Sequence, residues 1–338
     1  MKKLLRYLFL IIIIAALGFG WYVFMAPNTN NTGKKLSVKI PTGARYEDVL
    51  RLLQDNGVLK NQNTFNIVSQ IKGYPGQVKA GYYVFSRAMN NRQIVNMLKS
   101  GLQTPVTLII YNIRTKEEFA GLVGRTLEID SNKLLYKLND PDFCKQLGLD
   151  TNKILTRFIV DNYEFYWNTS IPKFMDKMTS AYNDFWTDER KAKADAIHLS
   201  PTDVTTLASI VEKEVIRDKE LPTVARVYLN RLSLHMPLQA DPTLIFALRD
   251  FEARRVNQRH KEYDSPYNTY MYPGLPPGPI CMPRKKSIDA VLNPEDNDYL
   301  YFCANPDLSG YSIFSKSYED QTRAAIMYRK KLNELNVH

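Results

Sequence analysis

The chain has 338 residues, 44% of them hydrophobic and 24% charged, which is long and apolar enough for two folded domains plus a further segment and unlike a disordered polymer. Three cysteines, Cys144, Cys281 and Cys303, are too few and too far apart for a disulfide framework or a CxxC metal knuckle; buried free thiols are expected, with a Cys281–Cys303 bridge as the alternative. The formal charge of +10 comes from cations spread along the chain, with no run beyond Arg284-Lys285-Lys286 and Arg329-Lys330-Lys331, which argues against a nucleic-acid partner.

Met1-Lys2-Lys3-Leu4-Leu5-Arg6 precedes an almost unbroken apolar run over residues 7–25. At ~1.5 Å per residue such a helix nearly spans the ~30 Å hydrocarbon core, so this run is expected to cross a bilayer once. Lys2, Lys3 and Arg6 put the 1–6 tail in the cytoplasm by the positive-inside bias, and Trp21, Tyr22 and Phe24 suit the far interface. A cleaved signal peptide is the competing reading, but residues 20–25 offer no small-x-small cleavage site. Residues 26–35, containing Asn28-Thr29-Asn30-Asn31-Thr32-Gly33, are polar and aperiodic and read as a linker.

Residues 36–104 read as a small unit. Leu36-Ser37-Val38-Lys39-Ile40 alternates as a strand, Pro41-Thr42-Gly43 closes it, and a helical pattern through Val49, Leu50, Leu52 and Leu53 ends at Asn56-Gly57. A second helix is expected around residues 65–71, a strand over 79–85, and a helix over 91–98 that stops at Gly101.

Residues 105–338 form a larger unit. It opens with a β-branched strand over 106–110 and a helix from Thr115, an N-cap with Glu118 three residues on. Ser200-Pro201-Thr202-Asp203 is a second helix start, with serine as N-cap and proline at the first helical position; the helix is expected to reach about Arg217. Val204, Leu207, Ala208, Val211 and Val215 predict a single buried stripe along it. Asn230 and Arg231 lie on the following helix, strands recur at residues 299–302 and 311–314, and a final helix covers about 317–332. Helices and strands mix without a regular βαβ repeat, which argues an α+β fold.

Leu207-Ala208-Ser209-Ile210-Val211-Glu212-Lys213-Glu214 sets two carboxylates into the apolar run of the 200–217 helix. At ~100° per residue they fall on opposite flanks of the stripe, about 160° apart, with Lys213 facing away. The wheel alone leaves open which is functional, and Glu-Lys-Glu also suits a solvated helix edge. Downstream come Gln239-Ala240-Asp241-Pro242-Thr243, Tyr267-Asn268-Thr269-Tyr270 and Gly274-Leu275-Pro276-Pro277-Gly278-Pro279.

In that order these residues resemble the endolytic murein transglycosylase family, the YceG-like enzymes, from about Leu36 to the C-terminus. The resemblance implies a small LysM-like α/β module, matched by Ala80-Gly81-Tyr82-Tyr83-Val84-Phe85, that either contacts glycan or serves as a spacer. It also implies a larger mixed α+β catalytic domain, outside the cytoplasmic membrane on a single-pass anchor. The implied reaction is non-hydrolytic cleavage of the N-acetylmuramic acid β-1,4 bond within nascent strands, leaving 1,6-anhydro ends. Glu214 matches the family's catalytic acid. One acid must suffice, because a retaining acid–nucleophile pair needs carboxyls ~5 Å apart and Glu212 points elsewhere. Neither metal nor cofactor is implied; the expected partners are peptidoglycan strands, the membrane and cell-wall synthesis enzymes.

For substrate binding, Asn268 is expected to pair with an acetamido group, and Tyr267 or Tyr270 to stack on a sugar. Gln239 and Asp241 are aimed at the site by the proline that follows, or Asp241 caps the next helix. Arg231 and its neighbour Asn230 are candidate orienters of Glu214 or surface residues. Pro276 and Pro277 belong to a rigid loop bordering the cleft or to a packing turn. The chain departs from the family pattern at several positions: Val160 and Asn162 in the segment around Tyr163 and Glu164, Val215 after the acid, and Ser312 and Gln321 where histidines are usual. A membrane-anchored peptidoglycan-binding scaffold without catalysis is therefore the rival reading. Metalloprotease and serine hydrolase chemistry lack support, since His198, His235, His260 and His338 form no HExxH and there is no GxSxG.

Overall fold

The computed structural model describes residues 2–30, 36–253 and 256–334; residues 31–35 of the expected linker and His338 lie outside them. In chain order the elements are α1 (Lys2–Met25), β1 (Leu36–Ile40), α2 (Tyr46–Asp55), α3 (Gln62–Ile71), β2 (Gly81–Phe85), α4 (Asn91–Ser100) and β3 (Val106–Ile109). Next come α5 (Lys116–Thr126), α6 (Ser131–Leu138), α7 (Pro141–Gln146), β4 (Asn162–Phe165), α8 (Ile171–Phe185), α9 (Asp188–Ala196) and α10 (Pro201–Glu214). The chain then forms α11 (Leu221–Ser233), α12 (Asp241–Leu248), α13 (Gln258–Lys261), α14 (Lys285–Leu292), β5 (Tyr301–Ala304), β6 (Ser312–Ser315) and α15 (Tyr318–Glu334). Among the described residues the strands make three two-stranded sheets, β1–β2, β3–β4 and β5–β6, so the fold is α+β.

The chain divides into two compact units: residues 1–108, 123–129 and 163–170, and residues 109–122, 130–162 and 171–338. Two later segments thus belong to the first unit, where a single cut at 104 would have left them in the second.

In the first unit, α1 is long and apolar enough to cross a membrane and fits a single-pass anchor. Its last turn enters the unit's core: Val23 is buried, and Asn91 Nδ2 donates to the Val23 carbonyl at 2.8 Å. The linker expected over 26–35 is corrected at its start. Asn28 and Thr29 are buried, with Asn28 donating to the Asn61 carbonyl (2.8 Å) and Asn91 Oδ1 (2.6 Å) while accepting from the Asn61 N–H. The amide that reads as polar linker is used to satisfy buried backbone groups. Beyond it, β1 and β2 pair antiparallel with Val38 opposite Tyr83, and their alternating residues cover Val49, Leu53, Phe65, Val68, Ile94 and Leu98. The Asn90–Gln93 capping box starts α4, and Gly101, at φ +75°, ends it.

The second unit is built round α10, which packs on α9, α11, α12 and α14. The single stripe expected on α10 is an underestimate, because every residue from Val204 to Val211 is buried. Three hydroxyls allow this by bonding back to the helix: Thr205 to the Pro201 carbonyl, Thr206 to Thr202 and Ser209 to Thr206, at 2.7–2.9 Å. The Ser200 cap is as expected, its hydroxyl accepting from the Asp203 N–H.

Candidate functional site

Helix α10 stops at Glu214, three residues short of the expected Arg217. Val215 is already extended at φ −97° and ψ 140°. Val215-Ile216 is a β-branched pair that leaves the helix easily, and Ile216 turns outward, 79% exposed. Glu214 therefore sits in the final turn of a buried helix.

The two glutamates meet different partners. Glu212 Oε2 accepts the Arg284 backbone N–H at 2.6 Å and the Ser287 hydroxyl at 2.8 Å, and Oε1 lies 3.2 Å from the Arg284 guanidinium. Arg284 is the N-cap position of α14 and its own side chain caps nothing, so Glu212 supplies the missing acceptor at that helix's positive end. Among the described residues Glu214 has one hydrogen-bond partner, the Tyr228 hydroxyl of α11, which donates to Oε1 at 3.0 Å. Burial pushes the Glu214 carboxyl up to about 7; the Tyr228 bond and the Arg231 charge oppose the rise, and Asp241 adds to it.

Glu214 opens on a cavity of ≈ 370 Å³ walled by Ile216, Phe302, Tyr311, Ser312 and Tyr328 among others. That is within the ~300–1,000 Å³ usual for small-molecule sites. The β5–β6 hairpin forms much of this wall and is fastened to the segment just after Glu214. Buried Glu220 accepts the Ser312 N–H at 2.7 Å, and Arg217 donates to the Ser309 carbonyl at 2.8 Å. Ser312 thus lies on the cavity wall. Gln321 donates to the Phe302 carbonyl at 3.0 Å and ties α15 to β5.

The expected substrate residues divide. Tyr270 and Asp241 join the surroundings of Glu214: the Tyr270 hydroxyl donates to Asp241 Oδ1 at 2.6 Å, and Glu214 adds to the upward shift of Tyr270 that burial dominates. Asp241 is not a helix cap, since it is the first residue of α12 and its side chain takes the tyrosine hydroxyl instead. Asn268 cannot reach a sugar. It is fully buried, its Nδ2 donates to the Lys261 and Tyr263 carbonyls, and its Oδ1 accepts from the Tyr270 N–H. Its role is to fold the loop that presents Tyr270. Arg231 is likewise buried rather than on the surface, donating to the carbonyls of Leu300, Pro237 and Leu238 and so reaching Glu214 by charge alone. Asn230 holds the carbonyls of Asn297 and Tyr299.

Gln239 is exposed at φ +54° with its N–H on the Thr269 carbonyl. The proline loop packs on α10, where the Ile280 N–H donates to Ser209 Oγ at 3.0 Å; Pro276 is buried, and neither it nor Pro277 lines the Glu214 cavity. Tyr267 lines a different cavity and packs tilted against Phe246, ring centroids 4.8 Å apart. All three cysteines are free, so no Cys281–Cys303 bridge forms.

Sequence reasoning missed Tyr228, Glu220 and the hairpin wall. Tyr228 belongs to the apolar face of α11 with Val224, Ala225 and Leu229, where a tyrosine is indistinguishable from a packing residue. Glu220, buried directly before a helix, carries the one available signal, an acid next to the apolar Leu221-Pro222 start.

The chain is 30% identical over 333 residues to the endolytic murein transglycosylase of Bacillus subtilis, covering 92% of this chain and 89% of that protein. It is 27% identical over 362 residues to the protein of the same name from Streptococcus pneumoniae, covering 96% of this chain but only 65% of that protein's length. The 2.6 Å crystal structure of a yceG-like protein from Listeria monocytogenes matches with a TM-score of 0.57 at 29% identity, over 86% of this chain and 99% of the other. The YceG-like family model spans residues 38–326, and with nearly the whole chain matched, this protein belongs to that family.

Proposed function

We propose that this protein is a membrane-anchored murein transglycosylase that cuts within glycan strands, using Glu214 as its single acid and base. The relatives' names support the reaction class. The observation that carries the residue assignment is that Glu214, at the mouth of a cavity, keeps its proton to about 7 with one hydroxyl donor beside it. Because Tyr228 donates to Oε1, the neutral acid holds its proton on Oε2. That proton passes to the glycosidic oxygen as the C1–O bond of N-acetylmuramic acid breaks. The muramoyl C6 hydroxyl then closes on C1, and its proton returns to the Glu214 carboxylate, leaving a 1,6-anhydro end and a regenerated acid. Orientation and exclusion of water supply the rest.

Lys2, Lys3 and Arg6 in the first turns of α1 support an N-terminus in the cytoplasm and both units outside it. The β1-α2-α3-β2 order of the first unit supports the LysM-like reading, with glycan contact as its role.

The test is digestion of purified peptidoglycan by the full chain in detergent, since truncation at residue 34 would strip Asn28 and Thr29 from the first unit. Mass spectrometry should find 1,6-anhydromuramoyl ends with wild type, formed roughly 10²–10⁴-fold more slowly by Glu214→Gln. Cleavage by Glu214→Gln at the wild-type rate would remove the assignment, hydrated reducing ends would indicate a muramidase, and binding without cleavage would favour the scaffold.

A further inference from the structure

Two motif residues that do not reach Glu214, Tyr267 and Pro279, meet at a second cavity of the same unit. Tyr267, Phe246 of α12 and Pro279 of the proline loop line a space of ≈ 230 Å³. Gly278 shows how closely the loop is pressed there, because a Cβ at this position would lie 2.3 Å from the Asn152 carbonyl oxygen and 3.3 Å from the Tyr267 hydroxyl. The wall also carries four charged residues, with Arg114, Lys116 and Arg249 set against Glu117.

The cations are under-used. The Arg114 guanidinium lies 4.7 Å over the Phe251 ring and makes no ion pair among the described residues, while its backbone N–H donates to Glu118 Oε2 at 2.7 Å. Lys116 donates to the Thr151 carbonyl at 3.2 Å, and burial lowers its pKa. Arg249 reaches Glu117 only at 3.8 Å, with its side chain 66% exposed. Arg249 also holds a left-handed φ of +55° at the end of α12, a position that favours glycine or asparagine. The cavity already draws one carboxylate: burial pushes Glu117 up, yet hydrogen bonds from its own N–H and Thr115, with the Arg249 and Lys116 charges, hold it below its usual value.

Helix α12 links this cavity to the acid. Asp241, its first residue, acts on Glu214, and Arg249 follows its last residue, about 12 Å away at ~1.5 Å per residue. Tyr267 and Tyr270, three residues apart, join the same two places. An extended peptide covers that distance in about four residues at ~3.3 Å each. The space is smaller than the ~300–1,000 Å³ typical of whole-ligand sites and suits a carboxyl group better than a sugar.

We propose that this cavity binds a carboxylate of the peptide stems carried by the glycan strand, an inference that rests on the murein reading above. Arg114 and Arg249 grip the carboxylate, and Glu117 competes with it.

The test measures binding of a murein tetrapeptide with free carboxylates, and of its carboxamide twin, to the detergent-solubilised full chain by calorimetry. The carboxylate form should bind about tenfold more tightly or better, the effect of one or two charge-assisted bonds. Arg114→Gln combined with Arg249→Asn, the latter keeping a residue that tolerates the left-handed backbone, should abolish the preference, and Glu117→Gln should widen it. Equal binding of the two peptides, a preference that survives the double substitution, or tighter binding of inorganic phosphate than of the carboxylate peptide would overturn the proposal. Cleavage of peptidoglycan by wild type is read separately. Cleavage without peptide discrimination sinks this inference alone, whereas discrimination without cleavage sinks the transglycosylase reading.

Discussion

The two sides of α10 treat nearly adjacent carboxylates in opposite ways. On the α14 side Glu212 receives an N–H, a hydroxyl and a guanidinium; on the α11 side Glu214 receives one phenol and faces a cavity. A carboxylate that takes two hydrogen bonds and an ion pair is a fastener, since removing it strands the Arg284 N–H and the Ser287 hydroxyl and leaves the guanidinium to Asp218 alone. A buried carboxylate given one donor holds its proton into the neutral range and has somewhere to send it. The supply of donors, more than sequence spacing, distinguishes the two.

Breaking the α11 side should have the largest effect. Glu214→Gln is expected to lower the rate of anhydro-end formation by roughly 10²–10⁴-fold, the usual worth of an acid–base group, measured by product mass spectrometry. Breaking the α14 side should cost stability instead. Glu212→Gln is expected to lose about 2 kcal/mol in urea unfolding while the folded fraction still cuts at close to the wild-type rate. Tyr228→Phe keeps the ring that packs edge-on to Phe302 and removes only the donor. Because that bond lowers the Glu214 pKa, its loss should move the basic limb of the pH–rate profile upward and slow turnover about tenfold.

A further effect is on stability against pH. The folded pKa of Glu214, about 7, lies above its ordinary value of 4.5, so the native state binds the proton more tightly than the unfolded chain. The resulting stabilisation is complete below 4.5 and is lost as pH rises through 7. Glu214→Gln should flatten that slope and make the protein more stable than wild type above pH 7, by roughly 1–3 kcal/mol at ~1.4 kcal/mol per unit. A steeper slope in the variant would contradict the environment assigned to Glu214.

Local chemistry made much of the frame readable. Ser200-Pro201 starts α10, the Asn90 box starts α4 and Gly101 ends it, as their side chains dictate. The misreadings arose where a polar side chain could bond inward or outward. Asn268 read as a ligand contact and Arg231 as an orienter or surface residue, yet both turned inward to backbone carbonyls, and Asn28 read as linker and became buried. The choice between Glu212 and Glu214 was not legible, because Arg284 and Ser287 lie some seventy residues downstream in sequence and Tyr228 is camouflaged in an apolar helix face.

The most direct test is a carboxyl-carbon NMR titration of the full chain labelled at glutamate, with Glu214 assigned by the signal missing from Glu214→Gln. A midpoint near 7 that rises in Tyr228→Phe is the predicted result, and a midpoint at the ordinary 4.5, indifferent to Tyr228, would contradict the account.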